Sequence, residues 1–435
     1  LNLERFIAQR VAANKGKQSF SRIILRIAVA SVALSMTVMI VSSSVINGFK
    51  NQVEEKIFGF WGHIQLTHAS GFGQVGDSEP ISKNQPFYPN LDTIKGVSYD
   101  DSWKFLWWEN EDKIVERKSK GGIQHIQTFA YKAGIFKTKK EIEGIILKGV
   151  DKDYRWDFFN QYLEEGRVIE FSDSTASNDI LVSRQTANRL KLKVDDRLDF
   201  YFGNNKDFLK RRFKICGIYK TGLGDYDKQF AIMDIQKIRD INKWKGDEVG
   251  GFEVFIDDMA DLELLTQYID QEELPRFIYA QNVRQSRRGI FDWLALQDIN
   301  DIVILVLMLT VSIINMVTAM LILIIERTNM IGTLKALGQR SWSIRKIFLY
   351  YATYIILIGL FWGNLIGISL CLLQEKFGIV TLSEENYYLA VAPVEINFWT
   401  VLFLNIGTMV ITLAFLIIPS YLVTRISPVK ALRFK

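Results

Sequence analysis

Residues 27–46 read IAVASVALSMTVMIVSSSVI. No charge interrupts them, and the run has the length of helix that a hydrocarbon core of about 30 Å requires. Three comparable stretches follow, Ile302–Ile325, Ile347–Leu373 and Phe398–Tyr421, all in the last third of the chain. Residues 47–301, of ordinary mixed polarity, separate the first stretch from the second. The pattern predicts an integral membrane protein with four transmembrane helices, one plus three. A large α+β extracytoplasmic domain is inserted between helices 1 and 2. Whole-chain composition conceals this, because 49% hydrophobic and 23% charged residues lie near the norm for soluble proteins.

Charge orients the spans. Segment 1–26 carries six basic residues against Glu4, the 326–346 loop five against one acid, and the 422–435 tail only basic charges. The 374–397 loop reverses the sign, with Lys376 against Glu375, Glu384, Glu385 and Glu395. Lysine and arginine beside spans mark the cytoplasmic side. Both termini and the 326–346 loop are therefore expected inside, and the 47–301 domain and the 374–397 loop outside. The domain holds 37 basic and 42 acidic residues, a net −5, so the remainder, with 16 and 6, carries a net +10 and sets the chain's +5. This excess reports membrane sidedness. Nucleic-acid binding would need a basic patch on a folded face, and no nucleic-acid partner is expected. The first span lacks a small-residue cleavage site after it, which predicts an uncleaved anchor. Cys216 and Cys371 fall in the outer domain and the third span, so no internal disulfide is expected.

Within the outer domain, helical and strand patterns alternate. Gly62–Thr67 and Phe252–Ile256 read as strands, Ile145–Val150 is a short apolar run ending in Asp151, and Ala231–Asp234 leads to a helix. Asp179–Val182 followed by Ser183–Leu190 reads as a strand and then a helix, with Ser183 as N-cap. Arg197–Phe202 and Arg212–Tyr219 alternate as two strands, with Gly203–Lys210 as the turn between them. Ile235–Asn242 and Met259–Tyr268 read as helices, and Gly71–Pro89 as a loop. Two subdomains are expected. Arg284–Asp301, with Phe291, Trp293, Leu294 and Leu296, reads as a helix continuing into the second span, or as a surface-lying juxtamembrane helix with an aromatic anchor.

A search for chemistry finds none. His63, His68 and His125 are the only histidines, and no pair has zinc-ligand spacing. Neither a phosphate-binding G-x-x-x-x-G-K-[S/T] nor a G-x-S-x-G occurs. The aromatic and acidic segment Trp103–Asp112 reads as a strand with solvated acids. No catalytic residue, metal site or cofactor is therefore assigned to this chain. No acid or base lies deep in a span, which disfavours an ion-driven carrier. Gly359, Gly363 and Gly367 repeat every four residues and face one way along the third span. Such a stripe lets another helix approach closely, within the bundle or across a dimer. Ser312, Asn315 and Ala319 mark a bundle-facing side of the second span, and Asn364 and Asn405 should face protein.

The inner loop reads ERTNMIGTLKALG over Glu326–Gly338. Ile331, Leu334 and Leu337 fall three apart, and Gly338 suits a left-handed helix end. A short amphipathic helix projecting from the membrane is expected. Here the chain resembles a known family. Glu326–Gly338 is similar to the E-[RK]-x-x-E-I-G-x-[LM]-[KR]-A-[LI]-G coupling segment of FtsX/MacB-type ABC permeases, with Met330 in place of the usual acid. Pro419–Arg433 resembles that family's P-A-x-x-A-[AS]-x-[IL]-x-P-x-[ED]-A-[LI]-R tail, with Lys430 in place of its acid. Phe6–Arg10, Ser44–Phe49 and Gly217–Asp227 resemble the F-I-A-x-R, S-V-M-N-G-F and G-I-F-x-T-G-x-x-[ED]-[YF]-D motifs of the lipoprotein-releasing LolC/LolE branch. Asp179–Phe202 resembles a further motif of that branch, with Asp195 where glycine is usual.

The resemblance implies a permease subunit of an inner-membrane ABC complex. A separate ATPase would bind ATP and Mg, and a second permease copy or paralogue would pair with this one. Lipoprotein cargo would be extracted from among the membrane lipids and passed to a periplasmic carrier. The coupling residues would be Glu326, Arg327, Ile331, Gly332, Leu334, Lys335, Leu337 and Gly338. Candidates for the cargo lining are Met36, Met39 and Ile40 on the first span and Leu307, Met308 and Val311 on the second, methionine suiting a surface that repacks. Carrier docking in the LolC-like members uses a hairpin before the G-I-F motif. The corresponding connection here is short and basic, with Gly203, Lys206, Lys210 and Arg212 as candidates. A LolE-like role, or one permease serving both positions, is open. The alternatives are an FtsX/MacB-like permease for wall-hydrolase regulation or efflux, and a membrane-tethered scaffold without ATP coupling.

Overall fold

The long helices outrun the apolar stretches inside them. In the computed structural model, residue 4 and residues 20–71, 76–105, 108–137, 141–172, 176–204 and 207–426 are described, with backbone only at 20–22, 100–115, 204, 207–208 and 385. Four helices among the described residues are long and apolar enough to cross a membrane. The first is Phe20–Trp61 (42 residues), the second Arg288–Glu326 (39), the third Ser341–Phe377 (37) and the fourth Phe398–Ser420 (23). At a rise of 1.5 Å per residue, the first two are roughly 60 Å long, about twice the hydrocarbon core. No proline interrupts either, so the backbone ladder runs on beyond the apolar run. The juxtamembrane segment is thereby helical from Arg288 and continuous with the second apolar stretch. The first helix stops at Gly62, whose φ of +72° suits glycine and whose N–H donates to the Phe58 carbonyl at 2.8 Å.

The chain forms two compact units: residues 1–52, 293–381 and 391–435 make one, and residues 53–292 with 382–390 the other. In the first unit, Ala28, Val32, Met36 and Ile40 share a buried cluster with Met316, Met320, Tyr351, Ile355 and Leu416. The amides of Asn364 and Asn405 pair reciprocally at 2.7 and 2.9 Å, so each polar group at depth satisfies the other.

The second unit is α+β. In chain order its strands are β1 (Ile64–His68), β2 (Ile81–Ser82), β3 (Ser98–Phe105), β4 (Trp108–Lys118), β5 (Ile123–Lys137), β6 (Ile142–Val150) and β7 (Leu163–Gly166). Then follow β8 (Asp179–Ser183), β9 (Arg197–Asn204), β10 (Asp207–Tyr219), β11 (Phe230–Asp234), β12 (Glu248–Val249), β13 (Gly251–Ile256) and β14 (Ile278–Asn282). A ten-stranded sheet runs β14-β1-β13-β5-β6-β11-β8-β10-β7, with β9 pairing both β10 and β5. The hairpin β3–β4, which carries the Trp103–Asp112 segment, forms a separate two-stranded sheet. Ser183 caps the helix Arg184–Leu190 by accepting from the Thr186 N–H, and Asp234 caps Ile235–Asn242 by accepting from Gln236. Helix faces supply Ala187, Leu190, Ile235, Ile238 and Ile241 to the core beneath the sheet.

One expectation is corrected. Gly203–Lys210 is not a turn: Gly203 pairs with Phe208, Phe202 with Leu209 and Tyr201 with Lys210, and the ladder continues to Asn204↔Asp207. Cross-strand pairing thus extends as far as Asn204 and Asp207. At the opposite end of the sheet, the N–H groups of Ile278 and Ala280 on edge strand β14 are occupied. Ile278 donates to the Pro275 carbonyl at 2.9 Å, and Ala280 donates to Asp270 Oδ1 at 2.9 Å.

His63 joins the first helix to this sheet and gives it a pH dependence. Its Nδ1 accepts the Ile256 N–H at 3.0 Å, and burial lowers its pKa to about 4. The unfolded chain, titrating near 6.5, binds the proton more readily. The contribution to stability is therefore complete above about pH 6.5 and is lost progressively as pH falls to about 4, by about 2–3 kcal/mol. Asp227, pushed up to about 6 by burial, acts in the opposite direction over the same range. The diagnostic is thus a comparison: His63→Asn keeps an acceptor without the titration. Its melting temperature should fall less than that of the unsubstituted protein between pH 7 and pH 4.5.

Candidate functional site

The glycine stripe fixes how the first unit is built. A Cβ at Gly359 would lie 2.7 Å from Val32 Cβ, one at Gly363 2.6 Å from Met36 Cβ and one at Gly367 3.3 Å from Ile40 Cβ. The partner of the stripe is therefore the first helix of the same chain. Thr37 Oγ1 donates to the Gly363 carbonyl at 3.1 Å across this contact. Ser312 and Ala319 are buried, and the Asn315 amide donates to Ser31 Oγ. Polar groups also pair between the first and second helices: Ser42 Oγ donates to Asp301 Oδ1 at 3.0 Å, and Lys50 Nζ lies 2.7 Å from Asp298 Oδ2.

These contacts place the six candidate lining residues. Met36, Met39 and Ile40 are buried in the cluster with the third helix, and Met308 packs half-buried against it. Leu307 and Val311 are exposed, at 55% and 45%. The structure thus gathers four of the six and leaves two on an outer surface.

The inner segment folds as the helix Thr328–Ala336, and Gly338 ends it with a φ of +86°. Glu326 is the last residue of the second long helix, and Arg327 precedes the short one. Ile331 and Gly332 are buried, and Leu334 packs half-buried against the same cluster. Lys335 Nζ donates to the carbonyls of Thr424 and Ile426 at 3.1 and 2.7 Å. It thereby caps the helix Leu422–Arg425 with a cation at its negative end. Leu337 is 78% exposed, and Asn329, Thr333 and Ala336 are exposed with it. The expected amphipathic face is thus divided: Ile331 and Leu334 root the helix in its own unit, and Leu337 stands free of it. Neither the spacing nor the motif revealed the capping role of Lys335.

On the hairpin β9–β10, Lys210 Nζ and Arg212 Nε lie 2.7 and 2.8 Å from the two oxygens of Asp199. Arg212 and then Lys210 hold that carboxyl down to about 2. Gly203 is paired within the ladder. Lys206 lies outside the described residues, as do Phe6–Arg10 and residues 427–435 of the tail motif. Asp195 adopts a φ of +74°, the conformation that accounts for glycine at that position in the resembling motif.

A site that the sequence reading missed lies at the end of the first helix. Lys148 Nζ is 2.7 Å from Glu253 Oε1, both side chains having no exposed surface, and it donates to the Phe60 carbonyl at 2.6 Å. Gln127 Nε2 donates to Glu253 Oε2 at 2.9 Å. A lysine inside the apolar run of β6 was the available signal.

The sequence matches the FtsX-like permease C-terminal family over residues 302–428 and the MacB-like periplasmic core domain family over residues 27–272. It is 20% identical to the lipoprotein-releasing system transmembrane protein LolC of Neisseria meningitidis, over 100% of both chains. It is 21% identical to the lipoprotein-releasing system transmembrane protein LolE of Haemophilus influenzae, over 99% of each. Among solved structures, the extracellular domain of the noncanonic ABC-type transporter YknZ from Gram-positive bacteria aligns with 37% of this chain and 82% of its own. That alignment has 13% identity and a TM-score of 0.27, a likeness too loose to carry weight. The match to the MacB-like domain covers more than half of the chain, the FtsX-like match follows it, and full-length relatives carry both names of one system. The chain belongs to the MacB-like periplasmic core domain family, with an FtsX-like permease match in its C-terminal part.

Proposed function

We propose that this chain is the permease subunit of an ABC complex that releases lipoproteins from the inner membrane and passes them to a periplasmic carrier. ATP and Mg are bound by a separate ATPase subunit, and a second permease copy or paralogue completes the complex. Both termini and the 326–346 loop face the cytoplasm, and the sheet domain faces the periplasm, in keeping with the charge distribution. The observation that carries the reading is the divided helix Thr328–Ala336. Its inner edge is tied to the permease through Ile331, Leu334 and Lys335, while Asn329, Thr333, Ala336 and Leu337 remain exposed. A knob rooted in this way transmits a push from a soluble partner into the helices behind it. Leu307 and Val311 present apolar surface to the cargo's acyl chains, with Met308, Met39 and Met36 as a polarizable layer behind them.

The test is release from vesicles reconstituted with the ATPase subunit that co-purifies with the chain. Leu337→Glu places a charge on the exposed face and leaves the buried side of the helix untouched. It should lower ATP-driven release at least tenfold while the chain's melting temperature stays within about 2 °C. Release at the unsubstituted rate would remove the docking role.

A further inference from the structure

The segment between the third and fourth long helices does not pack wholly with the unit that contains those helices. Residues 382–390 belong to the sheet domain, while residues 381 and 391 on either side belong with the helices. Three groups hold the segment there. Lys56, in the outer turns of the first helix, donates from Nζ to the Thr221 carbonyl at 2.6 Å and to the Tyr388 carbonyl at 2.9 Å. Gly222 lies against both: a Cβ there would sit 2.9 Å from Lys56 Nζ and 3.0 Å from the Tyr388 carbonyl oxygen, and its φ is +78°. Lys220 Nζ lies 2.6 Å from Glu384 Oε2.

The loop that receives Lys56 is itself rigid. Asp227, buried, accepts from Thr221 Oγ1 at 2.6 Å and from the Gly222 N–H at 3.1 Å. Thr221 Oγ1 in turn accepts the Leu223 N–H at 3.1 Å. Ser183 Oγ donates to the Asp227 carbonyl, tying the loop to the helix that begins at Arg184. The segment on the other side is closed by Leu382 N–H to Ala390 O at 2.9 Å and Tyr388 N–H to Glu384 O at 3.0 Å. One ammonium therefore bridges two loops that are far apart in sequence, and both acceptors are backbone carbonyls that lose a partner without it.

We propose that Lys56, Gly222 and Tyr388 form a permanent joint that makes residues 382–390 travel with the sheet domain through each transport cycle. Lys56 is a positioning residue for release. This rests on the release function proposed above, and the joint itself is measured independently of that function.

The experiment uses the full complex in lipid vesicles. Lys56→Met removes the ammonium and keeps the length of the side chain. Amide hydrogen exchange over 382–390 should accelerate about tenfold, as expected for the loss of two hydrogen bonds holding a short loop. ATP-driven lipoprotein release should fall at least fivefold while ATP hydrolysis stays within twofold, and Lys56→Arg should restore both protection and release. A second variant preserves the fold: Lys220→Cys with Glu384→Cys, joined by a short bis-maleimide that spans the place of the ion pair and confirmed by mass spectrometry, should release at the rate of its uncrosslinked form because the joint never opens. Unchanged exchange in Lys56→Met overturns the joint. Accelerated exchange with normal release overturns the positioning role, and loss of release on crosslinking overturns permanence. An unsubstituted complex that releases no lipoprotein would refute the function reading alone, leaving the exchange result to decide the joint.

Discussion

Lys148→Met is expected to lower the unfolding free energy of the sheet domain by about 3–5 kcal/mol, the cost of leaving one charge of a buried pair alone. Neither Lys148 nor Glu253 has side-chain surface in contact with solvent. Burial outweighs the attraction of Glu253 and holds the Lys148 ammonium below the usual lysine range. The ammonium also satisfies the Phe60 carbonyl in the last turn of the first helix, where a cation meets the negative end of the helix dipole. Methionine would leave the Glu253 carboxylate with Gln127 as its remaining donor and the helix end uncapped. For a domain of this size the loss corresponds to a fall of roughly 10 °C in melting temperature. The double variant Lys148→Met/Glu253→Gln removes both charges and should recover most of that loss, to within about 1 kcal/mol. Thermal unfolding of the full chain, with protease sensitivity at the 61–64 junction as a local readout, checks both. A double variant as unstable as the single one would show that the charges are not what matters.

The second large effect is expected at Gly363. Any side chain there meets Met36 Cβ at 2.6 Å and the Ala33 carbonyl oxygen at 2.8 Å, and neither is the flexible end of a side chain. The helices must separate, and the Thr37-to-Gly363 hydrogen bond is stretched with them. Gly363→Ala should cost about 1–3 kcal/mol, and Gly363→Leu should prevent the bundle from assembling. At Gly367 the nearest atom is 3.3 Å away, and alanine there should cost well under half as much. Melting temperatures of the alanine series in detergent should therefore rank Gly363 and Gly359 as the sensitive positions and Gly367 as the tolerant one. Equal losses at all three would mean that clearance at the added Cβ does not govern the effect.

Much of this architecture was legible in the chain because two periodicities carry it. Long uncharged runs mark the helices, and period-two alternation with Ser183 at a cap marks the domain. Periodicity says which residues share a face, not what covers it. The glycine stripe pointed to close packing, but its partner, the first helix of the same chain, comes from tertiary structure. The inner helix shows a finer limit. Steps of three residues drift by about 60° each, so Ile331 and Leu337 lie about 120° apart. That angle is why one is buried and the other exposed. The Lys148–Glu253 pair was hidden for another reason. Its members sit on β6 and β13, separated by β5, and only the sheet order puts Gln127 of β5 directly opposite Glu253.

The closed edge at β14 sets how this molecule meets others. With Ile278 and Ala280 already bonded to Pro275 and Asp270, that flank offers no row of free amides on which a foreign segment can zip up. An extended segment of another chain thus finds no template for polymerisation on this side. Whatever the protein grips there, it must grip by side-chain shape and charge.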